Sequence, residues 1–152
     1  MIDIREFRRK LRKFEQFLSK QLLDCCCGIT VAQCHCLLAV EDLEQTTVGA
    51  LSDYLNLDKS TLSRTVESLG RQGLIDREID PNDRRIARLF LTESGEKLAE
   101  EIHQVNDEYF QRVIDQILKD EQENVVRYLG LFIDAISQYE NERGTTGNCC
   151  AE

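Results

Sequence analysis

The segment that decides the fold reads LDKSTLSR over residues 57–64. Asp58 is the kind of residue that caps the N-terminus of a helix, and Gly73 is the kind that ends one. Thr47 is placed to cap a shorter helix immediately upstream, over residues 48–55. Two short helices joined by a tight Asn-Leu-Asp turn predict a helix-turn-helix.

The second of these helices carries side chains suited to DNA contact near its start. Leu62, Val66 and Leu69 form an inward apolar face, which leaves polar side chains on the outer face. Hydroxyl groups donate to phosphates and base edges, and an arginine makes bidentate contacts to guanine. An ordinary amphipathic helix is the alternative, because serine and threonine are common near helix starts. The candidate contact residues are Lys59, Ser60, Thr61, Ser63 and Arg64.

A β-hairpin with a polar tip is predicted directly after this helix. Residues 74–79 and 86–91 are short strand-like runs, and the turn sequence DPNDRR separates them. Arginines at such a tip suit a narrow minor groove, and Asp83 is placed to orient the guanidinium of Arg85. A solvated turn with weak surface ion pairs is the alternative. The candidate DNA contacts of the hairpin are Asp83, Arg84, Arg85 and Arg88.

The distribution of charge is compatible with DNA binding, although the total is not. The net charge of −9, taken alone, argues against a nucleic-acid partner. Residues 59–90, however, hold seven Lys and Arg against five Asp and Glu, whereas residues 91–152 hold five against fourteen. The acidic excess would then lie away from DNA. A helix-turn-helix followed by an arginine-tipped hairpin is a winged helix, so the sequence predicts DNA binding.

Further helices are predicted on both sides of this lobe. Residues 4–23 carry an apolar stripe and a basic opposite face. Thr30 and Gln33 form a capping-box pattern that opens a helix ending near residue 40. A long helix follows Thr92, and a second capping-box pattern at 120–123 is expected to open the final helix. The apolar faces of these long helices exceed what one small lobe can cover, so we expect a homodimer.

Three segments together resemble the MarR family of bacterial winged-helix transcriptional regulators. They are residues 57–64, the sequence LGRQGLIDR at 69–77, and the hairpin tip 80–85 running into LFLTESG at 89–95. The resemblance covers nearly the whole chain. It implies a homodimer that binds a pseudo-palindromic operator in double-stranded DNA. It also implies that Asp83 and Arg85 lie in the wing and that Ser60, Thr61, Ser63 and Arg64 lie in the recognition helix.

The expected architecture is mainly α with a small β-hairpin wing, in which a winged helix-turn-helix lobe joins a helical dimerisation domain. Four parts are predicted along the chain. They are an N-terminal dimerisation helix over 1–28, the DNA-binding lobe over 29–92, C-terminal dimerisation helices over 93–140, and a flexible tail with cysteines over 141–152.

The sequence also excludes several classes of protein. No apolar run approaches the ~20 residues of a membrane span, and the N-terminus lacks the apolar region of a secretory signal. We therefore expect a cytoplasmic protein with no membrane partner. We expect no enzymatic activity, because the sequence has no nucleotide-binding loop, CxxC pair or Cys–His–acid set.

The cysteines depart from the family pattern. Seven cysteines, an odd number, do not predict a disulfide framework in a cytosolic chain. Many family members sense small aromatic anions between the DNA lobe and the dimer helices, and Cys34 stands where the family usually carries a large aromatic residue. Soft thiolates select zinc, copper(I) or thiophilic metalloids, and His35 is a neighbouring candidate ligand. The candidate sensor residues are Cys25, Cys26, Cys27, Cys34, Cys149 and Cys150.

The leading hypothesis is a dimeric repressor whose DNA affinity responds to a metal or metalloid, such as arsenite or zinc, bound by these thiolates. No other cofactor is expected. One alternative is a repressor that senses thiol oxidation. Cys34 and Cys36 are alternatively small apolar core residues. From other classes, an acidic protein-interaction or antirepressor module and a thiol-dependent enzyme are the competing hypotheses.

Overall fold

The fold consists of six helices and one two-stranded antiparallel hairpin in the described part of the chain. The computed structural model describes residues 1–25, 28–81, 83 and 85–144, with residues 22–25 described by their backbone alone. In chain order the elements are α1 (Ile4–Cys25), α2 (Val31–Asp42), α3 (Val48–Leu55), α4 (Lys59–Arg71), β1 (Ile75–Ile79), β2 (Ala87–Leu91), α5 (Glu93–Ile114) and α6 (Lys119–Gly144). The predicted mainly α architecture with a small β wing is confirmed.

The hydrophobic core lies among α2, α3, α4, the hairpin and the first half of α5. Leu37 of α2, Leu51 of α3 and Leu69 of α4 are fully buried there. Leu89 of β2 and Ile102 of α5 are also fully buried and belong to the same cluster. This core fixes the position of α4 and of the hairpin base relative to each other, because interior side chains are close-packed.

The chain divides into two compact units, and the boundary falls within α5. The first unit runs from Met1 to Asp107 and holds the core just described. The second begins at Glu108 and contains the rest of α5 and the whole of α6. The dimerisation and DNA-binding ranges expected from the sequence stay predictions.

Most of the helix starts agree with the sequence signals. Thr30 forms the predicted capping box, in which its hydroxyl accepts from Gln33 N at 3.2 Å and Gln33 Oε1 accepts from Thr30 N at 2.9 Å. Thr47 caps α3 by accepting a hydrogen bond from the Ala50 N–H at 3.2 Å. These side chains satisfy backbone N–H groups that have no partner within the helix.

The capping box predicted for the last helix is wrong. The helix α6 begins at Lys119, so Asp120 lies inside its first turn and not at the capping position. Gln122 instead closes the connection between α5 and α6, since its side-chain amide donates to the carbonyl oxygens of Ile114 and Ile117, both at 3.1 Å. The sequence pattern was misleading because the helix begins at Lys119, so the polar residues 120–123 already lie within it.

The hairpin is anchored to the α2–α3 connection. Its register pairs Ile75 with Leu91 and Ile79 with Ala87. On the other side of β2, Leu89 exchanges two backbone hydrogen bonds with Thr46, at 3.2 and 2.7 Å. The wing therefore has backbone pairing on both edges of β2 at this point.

None of the helices in the described residues combines the length and the apolar character that crossing a membrane requires.

Candidate nucleic-acid interface

The turn between α3 and α4 is held by backbone and hydroxyl hydrogen bonds. Asn56 adopts the left-handed conformation, with φ of 51°, which ends α3 and reverses the chain. The Ser52 hydroxyl donates to the carbonyl oxygen of Leu57 at 2.6 Å, and the Leu57 N–H donates to the Ser52 carbonyl at 3.0 Å. These contacts fix the angle at which α4 leaves the turn.

Asp58 is the N-terminal cap of α4, as the sequence predicts. Its Oδ1 accepts from the Ser60 hydroxyl at 2.6 Å and from the Thr61 N–H at 2.8 Å. The hydrogen bonds from Ser60 and then from Thr61 hold the pKa of Asp58 well below its ordinary value. The carboxylate is therefore ionised near neutral pH, and the Ser60 hydroxyl is already oriented by it.

The outer face of α4 is exposed along the whole predicted contact row. Leu62, Val66 and Leu69 point into the core, with at most 1% of their surface exposed. Gln33 of α2 holds the buried side of α4 by donating to the Ser68 hydroxyl at 3.0 Å. The predicted contact residues that are exposed on the outer face are Lys59, Ser60, Thr61, Ser63 and Arg64. This face therefore combines hydroxyl groups with cations.

Two predicted wing residues are brought together at the hairpin tip. Asp83 Oδ1 accepts from the Arg85 N–H at 3.0 Å and lies 3.4 Å from Arg85 Nε. The Arg85 side chain is 94% exposed, so its guanidinium projects into solvent. Arg84, the third predicted tip residue, lies outside the described residues.

Arg88 takes part in a network that the sequence analysis missed. Its Nε and Nη2 donate to Asp80 Oδ2 at 3.0 and 2.7 Å, and its Nη1 donates to Gln45 Oε1 at 3.4 Å. The Asp80 side chain is only 8% exposed. The signal that could have identified this pair is the hairpin itself, since its register brings residue 80 close to residues 86–88. The prediction that Arg88 contacts DNA stays a prediction.

The base of the wing is locked to the start of α5. Thr92 caps α5 by accepting from the Gly95 N–H at 3.1 Å, and its hydroxyl donates to the Gly73 carbonyl at 2.5 Å. Gly95 lies so close to the residue that precedes β1 that an added Cβ would stand 2.1 Å from the carbonyl oxygen of Leu74. Only glycine permits this approach between α5 and the hairpin base.

A hydrogen-bonded pair of a histidine and a glutamate joins α5 to α2 within the first unit. His103 Nε2 lies 2.6 Å from Glu41 Oε2, and both side chains are partly exposed. The hydrogen bond with Glu41 raises the pKa of His103 above its ordinary value, against a smaller opposing effect of burial, and the nearby charges of Glu41, Asp107 and Glu100 act in the same direction.

The candidate sensor cysteines are only partly described. Cys34 and Cys36 are buried in the core, at 1% and 0% exposure, and burial raises the pKa of the Cys36 thiol to about 11. Cys25 is the last residue of α1, whereas Cys26, Cys27, Cys149 and Cys150 lie outside the described residues. His35 is exposed on α2. Among the side chains that the structure describes, those of residues 1–21, 28–81, 83 and 85–143, no group of three His, Cys, Asp or Glu is arranged to hold a metal ion.

Comparison with known proteins identifies the family. The profile of the MarR family matches residues 28–86, which span α2, α3, α4 and β1. The transcriptional regulator BilQ of Clostridium symbiosum is 30% identical over 102 residues, which are 67% of this chain and 71% of BilQ. The chain belongs to the MarR family. The resemblance stated from the motifs is thus confirmed, and the chain is a winged-helix regulator of that family.

Other MarR-family relatives extend the comparison. SarZ of Staphylococcus haemolyticus, an HTH-type transcriptional regulator, is 25% identical over 119 residues, covering 78% of this chain and 76% of SarZ. A cysteine-to-serine variant of E. coli MarR, solved with operator DNA, superposes with a TM-score of 0.71 at 24% identity, covering 84% of this chain and 93% of that one. The structural similarity to E. coli MarR establishes that this chain and MarR share a fold.

Proposed function

We propose that this MarR-family chain is a DNA-binding transcriptional regulator that reads duplex DNA with α4 and the wing. The observation that carries the proposal is the exposed row of hydroxyl groups and cations on α4, on the same rigid core as the Arg85 wing tip. The row suits the major groove and the tip suits the minor groove. Relatives that carry the name transcriptional regulator, and the E. coli MarR–operator complex, support the same function.

The regulator acts as a homodimer in this proposal. The large apolar side chains exposed on α1 include Phe7, Leu11, Phe14 and Phe17. The large apolar side chains exposed on α6 are Val125, Val126, Tyr128, Leu129, Leu131, Ile133, Ile136 and Tyr139. Apolar area on this scale is typical of a surface that a partner covers. A second copy of the chain is the occupant, through segments 1–28 and 93–140, and two-fold symmetry then calls for a pseudo-palindromic operator.

Repression controlled by a thiol-binding signal is the finer part of the proposal. Cys34 and Cys36 are buried, so a ligand would reach their thiols only after the core opened. They are therefore poor candidates for the first thiols to bind the signal. Cys25, at the end of α1, and the neighbouring Cys26 and Cys27 are the better candidates for arsenite or zinc, with Cys149 and Cys150 as added ligands. Oxidation of the same thiols is the competing signal. The site of action would be the cytoplasm.

Selection of binding sequences from a randomised duplex library tests the DNA-binding proposal. The expected result is an enriched pseudo-palindrome with half-sites about one helical turn apart. Failure to enrich any sequence, together with no salt-sensitive binding to DNA, would favour the acidic protein-interaction module.

Addition of arsenite to the complex with the selected duplex tests the sensor. The metalloid is expected to weaken binding by the reduced wild type but not by the variant Cys25→Ser/Cys26→Ser/Cys27→Ser, which should bind DNA normally. Cys36→Ala is the matched control and should keep the response. A response that persists in the triple variant would place the sensor elsewhere.

A further inference from the structure

We propose that Arg88 and Asp80 are positioning residues that hold the wing tip, and with it Arg85, in the orientation that DNA requires. The inference rests on the proposed function and deepens it. It gives the half-exposed side chain of Arg88 a role in holding the wing instead of in contacting DNA.

The contacts of Arg88 point inward, to two other parts of the lobe. Both Nε and Nη2 donate to the same oxygen of Asp80, and Nη1 reaches Gln45 in the α2–α3 connection. Three of the five N–H donors of the guanidinium are thus engaged within the chain. The side chain of Asp80 is nearly buried. If Arg88 moved away to contact a phosphate, the carboxylate of Asp80 would stay largely desolvated without this cation, which costs free energy.

A continuous series of contacts leads from Gln45 to the tip. Asp80 Oδ1 accepts from the Asp83 N–H at 3.3 Å. Asp83 in turn accepts from the Arg85 N–H and lies beside Arg85 Nε. The cation of Arg88 fixes Asp80, Asp80 fixes the backbone at residue 83, and Asp83 orients Arg85. The hairpin tip is therefore tied to the core through side chains as well as through the strand ladder.

Positioning and direct contact predict different patterns of mutation. Direct contact with a phosphate requires only the cation, so Arg88→Gln would weaken binding, whereas Asp80→Asn would leave it unchanged or strengthen it. Positioning requires both partners, so Arg88→Gln and Asp80→Asn should weaken binding by similar factors. The double variant should be no weaker than either single variant, because both changes break one unit.

The experiment measures the affinity of Arg88→Gln, Asp80→Asn and the double variant for the selected operator duplex. Each is expected to lose about tenfold, close to the loss for Arg85→Ala, since a misplaced arginine forfeits the same contact. In an Arg85→Ala background, Arg88→Gln should cause little further loss. Arg77→Gln removes an exposed cation from the same hairpin and is the matched control, expected to change affinity less than threefold.

Amide hydrogen exchange supplies a readout that does not depend on DNA. Asp80→Asn should accelerate exchange at the N–H groups of Asp83 and Arg85 while leaving exchange in α4 unchanged. This result would show that Asp80 holds the wing tip even if the wild type bound no DNA, in which case only the proposed function would fail. Normal binding by Asp80→Asn with unchanged exchange would overturn the inference, as would equal losses in Arg88→Gln and Arg77→Gln.

Discussion

Arg85 at the wing tip is held by Asp83 through two contacts, one to its backbone N–H at 3.0 Å and one to Nε at 3.4 Å. The Arg85 side chain is almost fully exposed to solvent, so the ion pair contributes little to folding stability. Its effect is to restrict the directions in which the guanidinium points. An arginine that is pre-oriented in this way loses less conformational entropy when it enters a groove.

Replacement of Arg85 by alanine should weaken operator binding by about tenfold, which is about 1.4 kcal/mol, and should flatten the dependence of affinity on salt. The physical reason is the loss of a cation that meets the strong negative potential of the minor groove. Fluorescence anisotropy at several salt concentrations measures both quantities. The control is Arg112→Ala, which removes an exposed arginine from the second unit and should change neither. Identical salt slopes in Arg85→Ala and wild type would count against the wing assignment.

Arg64→Ala should lower both affinity and specificity, because a bidentate contact to a guanine is worth about 1–3 kcal/mol of discrimination. The side chain lies on the exposed outer face of α4. Competition between the selected duplex and single-base variants measures the specificity. The control is Arg71→Ala. Arg71 lies at the end of the same helix, and its Nη2 is 3.1 Å from Glu67 Oε1. If Arg64→Ala kept the full preference for every base pair, its role as a base-reading residue would be excluded.

Gly95→Ala should destabilise the first unit by about 3 kcal/mol, because the new methyl group would overlap the Leu74 carbonyl oxygen and force the wing base away from α5. Urea denaturation followed by circular dichroism measures the change. Gly49→Ala is the matched control, since an added Cβ there meets only Thr47 Oγ1 at 3.7 Å. That variant should be neutral or slightly stabilised, as expected for alanine in a helix. Equal stability of the two variants would contradict the close packing.

The His103–Glu41 pair should add to the free energy of unfolding at low pH and lose this contribution at higher pH. The folded-state pKa of His103 is raised above its ordinary 6.5, so the protonated form is favoured by folding. The pair therefore contributes its full stabilisation below about pH 6.5, and the contribution disappears as the pH rises through the higher folded-state pKa. The difference in unfolding free energy between wild type and His103→Gln should follow this profile.

Glu41→Gln is the control for that profile. It removes the partner that raises the pKa, so the imidazole of His103 should titrate at a lower pH in this variant, as followed by NMR. An unchanged titration midpoint would show that Glu41 is not the cause of the shift.

The Cys36 thiol should resist alkylation by a maleimide in the native protein near neutral pH. Its burial both blocks access and raises its pKa to about 11, which leaves very little thiolate. Peptide mapping by mass spectrometry should find Cys36 modified only after addition of urea. Modification at the same rate with and without urea would contradict its place in the core.

The sequence predicted most of the elements whose signals are local, the start of α6 being an exception. Thr30, Thr47 and Asp58 cap helices as expected, because a cap depends on residues within one turn of it. The outer face of α4 also followed from spacing, since burial of Leu62, Val66 and Leu69 fixes which residues face outward.

The features that the sequence did not predict depend on contacts between distant parts of the chain. The pairing of Arg88 with Asp80 and Gln45 needs the hairpin register and the position of the α2–α3 connection. The bridge between Thr46 and Leu89 joins residues more than forty positions apart. The sequence analysis left open whether Cys34 and Cys36 are core residues. The structure buries both of them, because α2 is packed on more than one side.

The most direct test of the account is an anisotropy titration of the reduced 152-residue chain on the selected operator duplex, repeated across a range of salt concentrations. The account predicts saturable binding by two chains per duplex, with log affinity falling linearly as log salt rises, and with a clear loss in Arg64→Ala and Arg85→Ala. Absence of saturable binding at low salt, or binding that neither substitution alters, would contradict the assignment of α4 and the wing as the DNA-reading surface.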